Sequence, residues 1–195
     1  MLINDASSYF NDVVRVIANM PFTTIDQIVN VLMEGYESNR RIYLFGNGGS
    51  AALASHFACD LGKSAANGSG KRFQALALTD NIPMMTAWAN DAAYEDIFAE
   101  QLINFVQPGD IAFAISGSGK SPNVLKALRV ARQAEAFTVG LTGFRGGHMP
   151  TLCDVCLIVP SDNMQIIEDL HLSLTHAVFT TLRAKICQEN SEAVA

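Results

Sequence analysis

The chain has 195 residues, a formal net charge of −6, 49% hydrophobic residues and only 16% charged ones. That length suits one domain with a sizeable core, and that composition excludes a disordered chain. The acidic balance argues against a general nucleic-acid binder, which would show a basic stripe, but small anionic ligands held by local backbone dipoles stay open.

Residues 1–40 read as two helices. Tyr9, Val13, Val16, Ile17 and Met20 recur at helical spacing, and Pro21-Phe22 breaks the run. Thr24 is the expected cap of the second helix, with Gln27 in the capping-box position. That helix is apolar around much of its circumference, which suits a subunit interface. A short apolar run, Ile42–Phe45, then stops at Gly46-Asn47-Gly48-Gly49-Ser50, and an alanine-rich helix opens at about Ser50 and runs to Lys63. Gly68-Ser69-Gly70 is an expected loop, Phe73–Leu78 a second strand, Ile82–Asn90 a helix and Ala93–Phe105 another. Ile111–Ile115 is a third strand, and Ser116–Ser121 repeats the strand, Gly/Ser turn and helix arrangement, with Pro122 in a first-turn position that tolerates it. Phe137–Leu141 and Val155–Val159 complete five strands, and a final helix covers about Gln165 to Cys187.

Strands alternating with helices predict an α/β fold: a three-layer α/β/α domain on a five-stranded parallel sheet, doubly wound and flavodoxin-like, with the N-terminal helices added. Ligands of such sheets collect beyond the carboxyl ends of the strands, where the turns at 46–50, 116–121 and 142–147 all fall. The expected division is 1–40 for oligomerisation, 41–188 for the domain and 189–195 for a flexible tail. Cys153-Asp-Val-Cys156 has CxxC spacing, but no second CxxC completes a zinc ribbon, so the pair reads as buried thiols at a strand start. No secretory signal opens the chain, and no apolar run approaches the ~20 residues that span a bilayer. The expected location is the cytoplasm, with no membrane and no direct nucleic-acid partner.

The chemistry is concentrated in three places. At the first turn, Gly46, Gly48 and Gly49 let the backbone pass close to a ligand, the following helix offers unpaired N–H groups, and Asn47 and Ser50 add polar side chains. The pattern is neither a Walker A loop nor a full GxGxxG, so no nucleotide cofactor is expected. At the second turn, Ser116, Ser118, Ser121 and Lys120 surround Gly117 and Gly119, a combination that suits a phosphate monoester. The alternative there is a capped turn with a solvated lysine. Third, His56 and Asp60 share a helical face at i, i+4, and Glu168, His171 and His176 lie on the last helix. Two such sets can converge on one metal or one proton-transfer site; equally, each can be an ordinary packed or solvated residue.

Taken together, FGNGGSAALASHFACDL, TAWANDAAYEDIF, ISGSGKSPNVLKAL, GLTGFRGGHM and IIEDLHLSLTH resemble the sugar-isomerase (SIS) domain family, and within it the phosphoheptose isomerases. The resemblance implies a homotetramer with sites at subunit boundaries and a phosphorylated sugar as substrate. It implies Asn47, Gly48, Gly49 and Ser50 along the sugar chain, with Asn90 and Asp91 near it, and Ser116, Gly117, Ser118 and Ser121 at the phosphate. It places His56, Asp60, Glu168 and His176 where the family has a zinc ion and its acid/base pair, with Asp60 and His176 as the proton-transfer pair. Four positions depart from the family pattern: Asp60 for its glutamate, Glu168 for its glutamine, Gly117 for a common threonine and Lys120 for a common asparagine. The expected reaction is aldose–ketose isomerisation through an enediol, converting sedoheptulose 7-phosphate to heptose 7-phosphate for surface polysaccharide. The alternatives are a non-catalytic tetrameric scaffold that binds a replication initiator, and an isomerase of another sugar phosphate.

Overall fold

A computed structural model of the chain describes residues 5–64 and 71–192, with Ser64 and residues 189–192 described by their backbone alone. The expected loop at Gly68-Ser69-Gly70 lies outside the described residues. Helix α1 spans Ala6–Ile17, opened by Asp5, whose carboxylate accepts from the Ser8 N–H. Helix α2 spans Phe22–Glu37 and begins at Pro21 with no side-chain cap. The expected cap at Thr24 is therefore corrected: Thr24 lies inside the first turn, its N–H bonded to the Pro21 carbonyl. Proline fixes φ close to the helical value, so the chain enters the helix without a capping side chain.

Strand β1 (Arg41–Gly46) leads into α3 (Gly49–Ser64). Next come β2 (Gln74–Ala77) and α4 (Ile82–Asp91), which is capped by the Asn81 side chain. The single helix expected over 93–105 is a correction: it is broken into a 3-10 turn at Tyr94–Asp96 and a short α5 at Ala99–Phe105. Ile97 and Phe98 turn into the core between the two, and the buried Gln101 amide donates to the carbonyls of Leu78 and Ile97. Apolar spacing cannot see such a break, because Ile97, Phe98 and Leu102 face inward whether or not the helix is continuous. The remaining elements are β3 (Ile111–Ser116), α6 (Pro122–Gln133), β4 (Phe137–Thr142), β5 (Val155–Ile158) and α7 (Met164–Glu192). Helix α7 runs past Cys187, the end that the pattern predicts.

The five strands are all parallel, in the order β2-β1-β3-β4-β5. This is the flavodoxin-like doubly wound order, with its switch point between β1 and β3. Side chains alternate across the sheet as the period of two requires. Ile42, Leu44, Ile111, Phe113, Ile115, Val139 and Leu141 join one core cluster with α1, α2, α3 and α7. Tyr43, Phe45, Ala112 and Ala114 join the other with α5 and α6. Both faces are buried, which is why the strands read as near-continuous apolar runs.

Helix α1 is tied to α7 by the Tyr9 hydroxyl, which donates to Asp169 at 2.5 Å. Burial, and then the neighbouring carboxylate, push that hydroxyl up to about 12. The outer face of α1 leaves Phe10, Val14 and Ile17 exposed. Cys153 is buried and Cys156 partly so, and both are free thiols. They face each other: the contact with Cys156, followed by burial, pushes the Cys153 thiol up, while Cys156 is lowered by the same contact. No described helix is long and apolar enough to cross a membrane.

Candidate active site

The first and second glycine turns meet across the switch point. Asn47 follows β1 and Asn123 opens α6, and their amides bond reciprocally, at 2.9 Å from Asn47 Nδ2 and 2.8 Å from Asn123 Nδ2. Asn123 is buried, and its Oδ1 also accepts from the Val124 N–H at 2.9 Å. The Tyr94 hydroxyl donates to Asn47 Oδ1 at 3.1 Å. Tyr94 is 59% exposed, so it stands at the rim of the crevice and not in the core. Gly48 takes φ +56° with open space where a side chain would be, the conformation that lets this turn expose its backbone.

The Ser116–Ser121 loop is drawn in on itself. Ser116 is buried at the end of β3, and its hydroxyl lies 3.3 Å from that of Ser121. Ser121 stands at the N-cap of α6 yet makes no capping bond, so its hydroxyl serves the loop. Ser118 Oγ accepts from the Lys120 N–H at 3.3 Å, while Lys120 itself is exposed. The third turn, 142–147, underpins this loop from behind. A side chain on Gly119 would meet the Gly146 carbonyl oxygen at 2.0 Å, and one on Gly147 the Gly119 oxygen at 2.4 Å. At Gly117 the neighbour is softer: a Cβ there would lie 2.5 Å from Met164 Sδ, part of a flexible, half-buried side chain that can move aside.

Helices α3 and α7 bring three side chains together. His56 Nε2 lies 2.9 Å from His176 Nε2 and 3.3 Å from Asp60 Oδ2, and His176 Nε2 lies 3.9 Å from that same oxygen. The ligand-type atoms of all three fall within 4.8 Å of one another. Two imidazoles and one carboxylate are a donor set for a divalent cation that keeps an open position. Glu168 does not join them. It stands eight residues before His176 on one helix, a rise of ~12 Å, and its carboxylate lies against Gly49, where a Cβ would approach it to 3.1 Å. There it lines a cavity of about 350 Å³ with Gly49, Ser50, Leu53, His56 and His171. Asn90 and Asp91 end α4 and bond to each other at 2.8 Å, exposed, three residues before Tyr94.

The structure thus gathers His56, Asp60 and His176 into one cluster, Gly49, Ser50 and Glu168 into the adjoining cavity, and Ser116 with Ser121 into one loop. Asn123 and Met164 escaped the sequence reading. Only Asn123 left a signal there: an amide at the first turn of a helix whose other inward positions are apolar.

A parallel sheet in doubly wound order, with two glycine turns side by side at its switch point and a histidine–carboxylate cluster on α3 and α7, puts the chain in the α/β class. Residues 8–143 match the family described as SIS domain. The phosphoheptose isomerase of Bradyrhizobium sp. strain BTAi1 is 37% identical over 85% of this chain and 83% of its own length. That of Helicobacter pylori is 38% identical over 85% of this chain and 86% of its own. Among solved structures, the phosphoheptose isomerase of Neisseria gonorrhoeae superposes with a TM-score of 0.84 at 28% identity, covering 91% of this chain and 96% of that one. The chain belongs to the SIS-domain family, in its phosphoheptose isomerase branch.

Two outcomes follow from this geometry. Gly117→Thr lowers stability by only about 1 kcal/mol or less, because the half-buried Met164 side chain can swing away, and Met164→Ala added to it removes that loss; denaturant unfolding of the single and double variants measures both. The second concerns His171, which burial holds at about 4, well below its ordinary value. Between that value and ~6.5 the unfolded chain binds the proton more tightly, so the stability contribution is complete above ~6.5 and fades as the pH falls toward 4. The wild-type chain should therefore lose about 2 kcal/mol more than His171→Leu between pH 7 and pH 4.5.

Proposed function

We propose that the chain is an isomerase of sedoheptulose 7-phosphate, interconverting it with the aldoheptose 7-phosphate by proton transfer through an enediol. The observation that carries this reading is the convergence of His56, Asp60 and His176 from helices far apart in sequence. Aldose–ketose isomerisation needs a base at the carbon, an acid at the oxygen and a fixed far end of the sugar. Asp60 and His176 are the proton-transfer pair. Ser116, Ser118 and Ser121 hold the phosphate, and that remote binding positions the reacting carbons. Asn47, Gly48, Gly49, Ser50 and Glu168 line the sugar chain, with Asn90 and Asp91 beside it. The donor set fits Zn²⁺, held by His56, Asp60 and His176, and a bound zinc would supply Lewis-acid polarisation of the sugar carbonyl. Glu168 enters the coordination only if the partner's copy or a bound sugar draws it in.

The exposed Phe10, Val14 and Ile17, at i, i+4 and i+7 on α1, support assembly through the N-terminal helices, and a homotetramer is the state we propose. The division at residue 40 follows: 1–40 for assembly, 41–188 for chemistry and 189–195 as a tail. Cytoplasmic location is part of the same reading. The heptose product would feed surface polysaccharide.

Incubation of the purified chain with sedoheptulose 7-phosphate and Zn²⁺ should yield the aldose. Asp60→Asn should abolish turnover while sugar-phosphate binding persists, and Ser118→Leu should raise KM by about 10-fold or more at similar kcat. No aldose with or without zinc, or a fully active Asp60→Asn, contradicts the assignment.

A further inference from the structure

Helix α7 carries a second imidazole that the proton-transfer scheme does not use. His171 is 1% exposed. Its Nε2 lies 3.1 Å from the Thr142 carbonyl oxygen, which can only accept. The ring is therefore held with a hydrogen on Nε2, which leaves Nδ1 as an acceptor. That Nδ1 is buried and has no partner among the described residues. Leaving such a group unpaired is unfavourable, whereas a leucine would fill the space with no orphaned atom. Stability alone does not call for imidazole here, so the Nε2–H bond has another use.

That use is visible from Thr142. This residue ends β4 beside Ser116, the first residue of the serine loop. Its hydroxyl donates to the Gly117 carbonyl at 3.3 Å, and the Gly143 N–H donates to the same oxygen at 2.9 Å. The Thr142 carbonyl takes the Val159 N–H at 2.8 Å as well as His171. Helix α7 comes close at this corner because residue 143 is glycine: a Cβ there would lie 2.3 Å from Ile167 Cδ1. One continuous line of hydrogen bonds thus runs from the helix that carries His176, through Thr142, into the loop that carries Ser116, Ser118 and Ser121.

We propose that His171 is a positioning residue whose bond to the Thr142 carbonyl sets the spacing between α7 and the serine loop, so that a sugar anchored by its phosphate meets the reacting groups in register. This inference rests on the isomerase reading above. The loop and the His56–Asp60–His176 cluster address opposite ends of one ligand, and a shift of ~1 Å between them costs about 100-fold in rate.

The test compares His171→Leu with His171→Gln, whose amide N–H lies close to the position of Nε2. On sedoheptulose 7-phosphate, His171→Leu should lower kcat by about 100-fold with KM changed by less than about 3-fold, and His171→Gln should recover to within about 10-fold of wild type. On unphosphorylated sedoheptulose, which the loop cannot anchor, His171→Leu and wild type should agree within about 3-fold, because the register no longer matters. Equal losses on both sugars mark a merely structural role and overturn the proposal, as does full activity of His171→Leu. Amide hydrogen exchange of residues 116–121 gives a readout independent of turnover. It should speed up at least about 10-fold in folded His171→Leu and stay near wild type in His171→Gln. Unchanged exchange in His171→Leu overturns the proposal. Faster exchange in a chain whose wild type isomerises neither sugar supports the tie and refutes the isomerase reading, so the two failures are separable.

Discussion

The parallel pairing of β1 with β3, from Ile42 beside Ile111 to Gly46 beside Ile115, is the constraint on which the site depends. Adjacent parallel strands end on the same edge, so the turns that leave them open side by side. With the order β2-β1-β3-β4-β5, the chain winds away in opposite directions from this pair and leaves a crevice between the two turns. The reciprocal amide bonds of Asn47 and Asn123 close the floor of that crevice. Two parts of the site are tied to this floor: Tyr94 through its hydroxyl, and the serine loop through the first turn of α6, where Asn123 sits.

The apolar layers then fix what stands opposite. Helices α3 and α7 pack on the same face of the sheet, in one core cluster with α1 and α2. Their packing leaves His56 and Asp60 on the outward face of one helix, level with His176 on the other. The cluster is thus a product of tertiary packing, because its members come from two helices about 120 residues apart. Neither helix alone could hold a cation or run a proton transfer. Glu168 stands apart from the cluster, a rise of ~12 Å before His176 on the same helix. Glu168 instead places a carboxylate at the first turn of α3, beside Gly49, where the helix dipole favours negative charge.

Much of this was legible in the sequence, for reasons that can be stated. Buried parallel strands are continuous apolar runs, and Ile42–Phe45 and Ile111–Ile115 announced themselves as such. Glycine-rich stops after them fixed the turns, and the i, i+4 spacing of His56 and Asp60 put both on one face. What escaped was set by contacts distant in the chain. The break at Ile97–Phe98 has the apolar spacing of an unbroken helix. The cap expected at Thr24 lost to a proline whose φ already suited helix entry. Asn123 reads as an ordinary amide in the first turn of a helix, and is a buried bridge only because β1 lies next to β3. Met164 lies against Gly117, a contact no local pattern could carry.

The account therefore stands on one proposal, that the Asp60–His176 pair and the serine loop act on opposite ends of the same sugar. Proton NMR of sedoheptulose 7-phosphate incubated with the chain in D₂O tests it most directly. Enediol chemistry predicts that solvent deuterium appears at the carbon next to the carbonyl, in wild type and not in Asp60→Asn. Sugar recovered without deuterium and without aldose would contradict it.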